Sequence, residues 1–176
     1  MICCDQFEVW VPFPLERVFR FFANPENLPR IMPPASGTRI EALRLVEPSP
    51  ASVETHSPRM LAGVGSEIVT SFRILPAFPF RAWWVARVTE FEWSRYFADI
   101  QAKGPFKRWH HRHEFESETR NILNGTLVRD RIEYEVGFGV LGTIAQRVFV
   151  GDQVARTFDH RQRVLEGQLL VPDRRA

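Results

Sequence analysis

Lysine is nearly missing from this chain of 176 residues: of its 23 basic side chains, only Lys103 and Lys107 are not arginine. Charge of one sign is missing too. Against 21 acidic residues the net charge is +2, too small a balance to imply nucleic acid as a partner. Cysteine is limited to Cys3 and Cys4. Neighbours on an extended strand point to opposite faces, so the two are poorly placed to bridge each other and no disulfide framework is expected. No apolar run approaches the ~18 residues of a membrane span, so stable membrane insertion is not expected. The start shows no basic stretch leading into an apolar one, the mark of a signal peptide, and a reducing, cytoplasmic setting is the expectation. There is no Gly/Ser-rich linker and no repeat. One domain is expected over residues 1–172, with a short polar tail at 173–176. Walker, Gly-x-Ser-x-Gly and Cys-x-x-Cys motifs are absent. Phe138-Gly139-Val140-Leu141-Gly142 has too few glycines for a dinucleotide loop, and these glycines suit a strand-to-helix turn better. No cofactor is expected.

What is present is apolar and aromatic. A composition of 44% hydrophobic, 12% aromatic and 25% charged residues excludes a disordered chain and a coiled coil. Alternation predicts a first strand over Phe7–Val11, closed by Pro12 and Pro14. A short helix is predicted over Leu15–Phe22, broken at Asn24-Pro25, and a second over Pro25–Met32. Strands follow at Arg39–Val46, Ser66–Leu75, Phe80–Phe91, Tyr96–Ala102, Phe106–Ser117 and Thr126–Phe138, with a further short one around Ser52–Thr55. Turns are expected at Pro76–Pro79, Gly104-Pro105 and Asn124-Gly125. From Val140 the period changes. Leu141, Ile144, Ala145, Val148, Ala155, Phe158, Leu165 and Leu169 form a helical stripe, bent or weakened near Gly151. This order is α+β: antiparallel strands, with one long C-terminal helix covering one face of a bent sheet and leaving space for a ligand between them.

The densest chemistry lies in the predicted strand at Phe106–Ser117, which carries three of the five histidines. Strand alternation puts Lys107, Trp109, His111, His113 and Phe115 on one face and Arg108, His110, Arg112, Glu114 and Glu116 on the other. The aromatics mark the first face as the inner one. His111 and His113 then have three open readings: hydrogen-bonded structural histidines, recognition of a ligand's polar head, or catalysis or metal binding. A metal needs a third ligand, and spacing supplies none, so no metal is expected. Asp99 faces His110 on the outer side if the Gly104-Pro105 turn has two residues, and His111 on the inner side if it has three. The first register is preferred because it pairs unlike charges on a wet face. In the last strand Val128, Asp130, Ile132, Tyr134 and Val136 face inward, while Arg129, Arg131, Glu133 and Glu135 face solvent. Trp83 and Arg87 share a face of the Phe80–Phe91 strand, where Arg87 could meet an anionic ligand. Lys103, Lys107, Arg108 and Arg112 interleave with Phe106 and Trp109 as on a base-stacking platform. Alternation splits that patch, and acidic residues follow it, so nucleic acid is not the expected partner.

The opening Val11-Pro12-Phe13-Pro14-Leu15-Glu16-Arg17-Val18-Phe19-Arg20-Phe21-Phe22-Ala23-Asn24-Pro25-Glu26-Asn27-Leu28-Pro29-Arg30-Ile31 resembles that of the START-like, polyketide cyclase/dehydrase superfamily (SRPBCC, birch-pollen-allergen-like). The segment Gly104-Pro105-Phe106 with Trp109-His110-His111-Arg112-His113 resembles small bacterial members, and the final helix fits too. The resemblance implies a helix-grip fold, in which a curved antiparallel sheet wraps a C-terminal helix around a cavity for hydrophobic ligands. Cyclases, lipid carriers and hormone receptors share it, so the fold does not give the reaction, and no universal catalytic set carries over.

Three functions follow as expectations. The first is binding or carriage of a small, mostly hydrophobic molecule by Trp83, Arg87, Trp109, His111, His113, Phe115, Asp130 and Tyr134. The second is a cyclase or dehydratase with His111 or His113 as general acid/base, oriented by Asp99 or Asp130. The third is a partner-binding or stress-response module with a vestigial cavity. The oligomeric state is not legible.

Overall fold

The computed structural model describes residues 2–48, 60–73, 80–137 and 150–171. Seven antiparallel strands form one sheet: β1 (Cys3–Val11), β2 (Arg39–Arg44), β3 (Glu67–Arg73), β4 (Arg81–Glu92), β5 (Tyr96–Lys103), β6 (Phe106–Arg120) and β7 (Leu123–Val136). Their order is β1-β7-β6-β5-β4-β3-β2, so the first strand closes onto the last. Between β1 and β2 lie helix α1 (Leu15–Ala23), a 3-10 turn at Pro25–Asn27, the single helical turn α2 (Leu28–Ile31) and a second 3-10 turn at Pro34–Ser36. Helix α3 (Gly151–Leu170) ends the described chain. The sheet is curved, and the β4–β5 pair bulges twice: in β5 between Gln101 and Lys103, opposite Val85 and Ala86, and in β4 between Val88 and Glu90. Such extra residues bend a strand and increase its twist. The architecture is the helix-grip arrangement.

Local sequence explains these elements. In β1 the burial alternates, with Gln6 and Glu8 outside and Phe7 inside, where its ring stacks on Phe158 of α3 at 4.7 Å. Pro14 precedes α1, a position where its fixed φ suits helix entry. The buried face of α1 carries Val18, Phe19 and Phe21. Phe19 meets Phe91, Phe97 and Phe115 edge-on at 5.1–6.0 Å between ring centres, the main aromatic core. Helix α3 buries Val154, Phe158, Arg161, Leu165 and Leu169, a stripe spaced by fours and threes. The terminal carbonyls of α3, which have no partner within the helix, are held by arginines from α1 and α2. Arg17 donates to the Leu169 carbonyl, and Arg30 to the Gln168 carbonyl at 2.9 Å. These bonds fix the helix over the sheet.

Several expectations are corrected here. The helical stripe runs through Val154, whereas Ala155 is exposed. The β6–β7 turn is Asn121-Ile122, both at positive φ, rather than Asn124-Gly125. Gly125 lies within β7 because Trp10 crosses it: an added Cβ would sit 2.5 Å from the indole and 2.4 Å from the Val11 carbonyl oxygen. The suggested strand at Ser52–Thr55, the turn at Pro76–Pro79, the 138–142 glycine segment and the stripe residues Leu141, Ile144, Ala145 and Val148 lie outside the described residues.

The β5–β6 hairpin also differs. The side-chain amide of Gln101 donates to the Phe106 carbonyl at 2.7 Å, and its oxygen accepts from the Phe106 N–H at 3.1 Å. A side chain therefore closes the hairpin near Gly104-Pro105. The backbone ladder begins further in, at Ile100 opposite His110, which puts Asp99 opposite His111 instead of His110. A bulge between Phe106 and Arg108 turns Lys107 out to solvent, where it pairs with Glu135 at 3.0 Å. Phe106 and Trp109 consequently both reach the cavity described next.

Candidate functional site

Between the concave face of the sheet, α3 and the α1–α2 segment lies a cavity of about 390 Å³. That is within the usual range for a small-molecule site. Most of its wall is apolar: Phe21 and Phe22 of α1, Ile68 and Phe72 of β3, Trp84, Ala86 and Val88 of β4, Phe97 of β5, and Val154 and Phe158 of α3. Trp84 meets Trp109 edge-on at 5.0 Å and Phe106 at 5.7 Å, giving an aromatic corner on β4 and β6.

One part of this wall is polar and buried. Antiparallel pairing sets Asp99 beside His111, and His113 beside Asp130. His111 Nε2 lies 3.0 Å from Asp130 Oδ1. A carboxylate only accepts, so Nε2 carries the proton and Nδ1 is left as an acceptor, 3.8 Å from Asp99 Oδ2. His113 Nδ1 is 2.6 Å from the same Asp130 oxygen but not aligned as a hydrogen bond. The two imidazoles stack at 3.9 Å between centres. Across the cavity α3 contributes Arg161, whose guanidinium lies over the Phe158 ring at 4.7 Å and the Phe22 ring at 5.8 Å.

Burial governs the protonation of this group. It lowers His111 to about 4, helped by the neighbouring His113 and opposed by Asp130 and Asp99. It lowers His113 as well. Both rings are therefore neutral near pH 7. Burial raises Asp99. In Asp130 burial is outweighed by the close contact with His113, the charge of Arg161 and the hydrogen bond from His111, so this carboxyl stays well below its ordinary value. Burial also lowers Arg161, opposed by the charges of Asp130 and Asp99, but a guanidinium starts so high that it stays cationic. A buried carboxylate, two neutral imidazoles and a buried guanidinium thus share one end of an apolar cavity. The arrangement can bind polar groups and can move a proton through a carboxylate-held imidazole.

The same geometry supplies the third metal donor that sequence spacing did not. Ligand atoms of Asp99, His111 and His113 lie within 4.8 Å of one another. Asp130 stands behind both imidazoles as an outer-shell carboxylate would. The positive charge of Arg161 in the same cavity works against a dication there.

Against this geometry the comparisons with known proteins take their meaning. A family described as polyketide cyclase / dehydrase and lipid transport matches residues 11–163. The chain belongs to this family. Among solved structures, TTHA0849 from Thermus thermophilus is similar at 18% identity and a TM-score of 0.64, covering 96% of this chain and 97% of that one. A START superfamily protein from Mycobacterium smegmatis follows at 14% identity and 0.63, covering 94% and 96%. Norcoclaurine synthase from Thalictrum flavum is similar at 14% identity and 0.57, covering 94% and 87%. No curated protein matches the chain. At such identities the structural likeness carries the fold alone.

For this member of the polyketide cyclase/dehydrase family, the structure brings Asp99, Trp109, His111 and His113 to the cavity wall. Asp130 is buried one step behind the imidazoles. Tyr134 and Phe115 are inward but lie in the solid core: Tyr134 beside Ile132, Val154 and Phe158, and Phe115 beside Phe19 and Phe97. Trp83 and Arg87 are corrected. They share a face of β4 as expected, but it is the outer one. Trp83 is 60% exposed, and Arg87 pairs with Glu67 at 2.7 Å. Trp84 lies inside because its partner on β3, Thr70, does. Arg161 was missed, although the gap between Phe158 and Leu165 in the helical stripe is where a core-facing residue must fall. Among the described residues no helix is long and apolar enough to cross a membrane.

Proposed function

We propose that this protein binds a small, mostly apolar molecule in the cavity between sheet and α3, with the polar end of the ligand among Asp99, His111 and His113. The observation that carries this reading is the cavity of about 390 Å³, apolar over most of its wall and polar at one end. Such a division orients an amphipathic guest: dispersion and desolvation hold its body, and a few placed polar groups fix its head. Native mass spectrometry of freshly purified protein tests it. The expected spectrum shows a small organic molecule retained by the folded protein and released on denaturation. A protein that carries no such molecule, and that gains no thermal stability from any apolar compound in a screened set, overturns the reading.

A second reading has its own support. General acid/base chemistry by an inward imidazole needs a carboxylate within hydrogen-bond reach, and His111 with Asp130 at 3.0 Å meets that condition. Under it, Asp130 holds His111 in one tautomer while Nδ1 works on the cavity side with Asp99, in a cyclase or dehydratase type of reaction. The same fold carries a synthase in the Thalictrum flavum protein, which makes catalysis compatible with the scaffold without assigning it. Turnover lost in His111→Gln with ligand affinity kept would favour this reading over carriage. The vestigial-cavity alternative has least support, because it calls for an apolar patch without a pocket.

A further inference from the structure

Among the described residues only two buried side-chain polar atoms lack a hydrogen-bond partner, His113 Nδ1 and Arg161 Nε, and both belong to residues of the cavity wall. Native interiors rarely tolerate such orphans without a reason. His113 at least touches Asp130 at 2.6 Å. Arg161 is the more demanding case. It is 8% exposed and holds the core-facing position of α3 between Phe158 and Leu165. Its charge lies over two phenyl rings rather than against a carboxylate. No ion pair within 4.0 Å joins it to any acid among the described residues, although the charges of Asp130 and Asp99 act on it from farther off. A buried guanidinium has five donors in a fixed planar fork, and its usual partner is a bidentate carboxylate.

We propose that Arg161 is the anchor for a carboxylate on the ligand, so that the cavity selects an apolar acid over a neutral molecule of the same shape. This rests on the ligand-binding reading above and sharpens it to a class of compound. The guanidinium and its two flanking rings lie at the polar end of an otherwise apolar space. An acid entering with its tail against Trp84, Trp109 and Phe97 brings its carboxylate to the fork. The acids already present set the terms of this match. Asp130 is engaged with the two imidazoles, so its charge is tied up on the sheet side. Asp99 also lines the cavity, and burial favours its neutral form, in which it is a donor to an incoming carboxylate and not a rival. The imidazoles are neutral, and Arg161 supplies the buried positive charge.

The test uses matched probes on the full chain: dodecanoate against dodecan-1-ol, and 3-(2-naphthyl)propanoate against its alcohol. Isothermal titration at pH 7.5 gives the affinity ratio within each pair. A charge-assisted bidentate contact predicts that the acid binds about 10- to 100-fold tighter than the alcohol. In Arg161→Gln the ratio should fall to within about 3-fold of unity while the affinity for the alcohol is kept. Arg161→Lys, which keeps the charge but loses the fork, should fall between. Equal binding of acid and alcohol to the unmodified protein overturns the carboxylate anchor and leaves the apolar-ligand reading standing. Binding of neither pair overturns both. An Arg161→Gln protein that is folded by circular dichroism and keeps the acid preference overturns the assignment to this residue.

Discussion

Strand β6 puts two arrangements of the same residue types back to back. Its outer face carries His110, Arg112, Glu114 and Glu116, and its inner face His111 and His113 with Asp130 of β7 behind them. Outside, charges are many and shared: Arg112 pairs with Glu90 and Glu114, Arg131 with Glu114, and Arg129 with Glu116 and Glu8. Inside, the ionised groups are few, each in a single arrangement, and none can turn to water. The difference teaches that counting charges on a strand says little about what it does. Burial decides which of them share their charge with solvent and which depend on one fixed partner. On the wet face an ion pair is worth about 0–1 kcal/mol. On the dry face, removing one partner strands the others without solvent.

The largest expected effect breaks the inner group. Asp130→Ala removes the acceptor of the His111 proton and the larger of the two negative charges that offset the buried Arg161, so one buried imidazole loses its partner and a buried cation loses compensation at once. A loss of about 3–5 kcal/mol is expected, read as a fall of roughly 10 °C in melting temperature. A loss below about 1 kcal/mol would mean that the inner cluster is as loosely held as the outer one.

Acid sharpens the same contrast. His111 has a folded pKa of about 4 against an ordinary 6.5, so the unfolded chain takes up its proton first as pH falls. Its contribution is fully present above pH 6.5 and is lost progressively down to about pH 4. The shift of about 2.5 pH units corresponds to roughly 3 kcal/mol. His113 shifts in the same direction and adds to the loss. Asp99 works against both, since a raised carboxyl pKa favours the fold as that group protonates. Asp130 enters only at the acid extreme, where its protonation removes stability. Urea unfolding at pH 7.5, 6.0 and 4.5 measures the sum, and the same series on His111→Gln isolates its share. Parallel pH profiles for the two proteins would sink the assignment.

How much of this was legible in the sequence depended on whether a period or a partner decided it. Alternation alone placed His111, His113, Asp130 and Tyr134 inward and the Arg/Glu rows outward, because a period of two fixes faces along an unbroken strand. It failed at Lys107, where a bulge adds a residue and resets the alternation. For β4, parity grouped Trp83 with Arg87 correctly, but parity cannot say which face is inside when Trp83 and Trp84 adjoin. The answer lies in the register with β3. Asp99 turned on one step of hairpin register, set by the Gln101 side chain, which no turn rule anticipates. Arg161 was hidden by its residue type, since a charged residue on a helix is read as solvated until its spacing puts it in the core. The helix-grip fold, by contrast, rested on element order and on a resemblance spanning most of the chain, and neither depends on a single register.

The smallest expected effect comes from the outer face and tests the other half of the comparison. Arg131 lies directly across from Arg112, a like-charge pair in register. The two share Glu114: its Oε1 lies 3.1 Å from Arg112 Nε, and its Oε2 lies 3.3 Å from Arg131 Nη2. Arg112 is the better held of the two, since it also reaches Glu90 and covers the Tyr96 ring at 3.7 Å. Replacing Arg131 by Gln therefore gives up one longer contact and at the same time relieves a cross-strand repulsion. The two nearly cancel, and the change in stability should stay within about 0.5 kcal/mol, of either sign. Raising the salt from about 0.05 to about 0.5 M should shrink it further, because the Debye length falls from about 14 Å to about 4 Å and screens charges that face solvent. The corresponding change on the inner face, in Asp130→Ala, should be insensitive to salt, because no counter-ion reaches a carboxylate sealed between two imidazoles and an aromatic core. A salt-insensitive loss of ~2 kcal/mol from Arg131→Gln would place the outer row among the structural determinants of the sheet and erase the distinction between its faces.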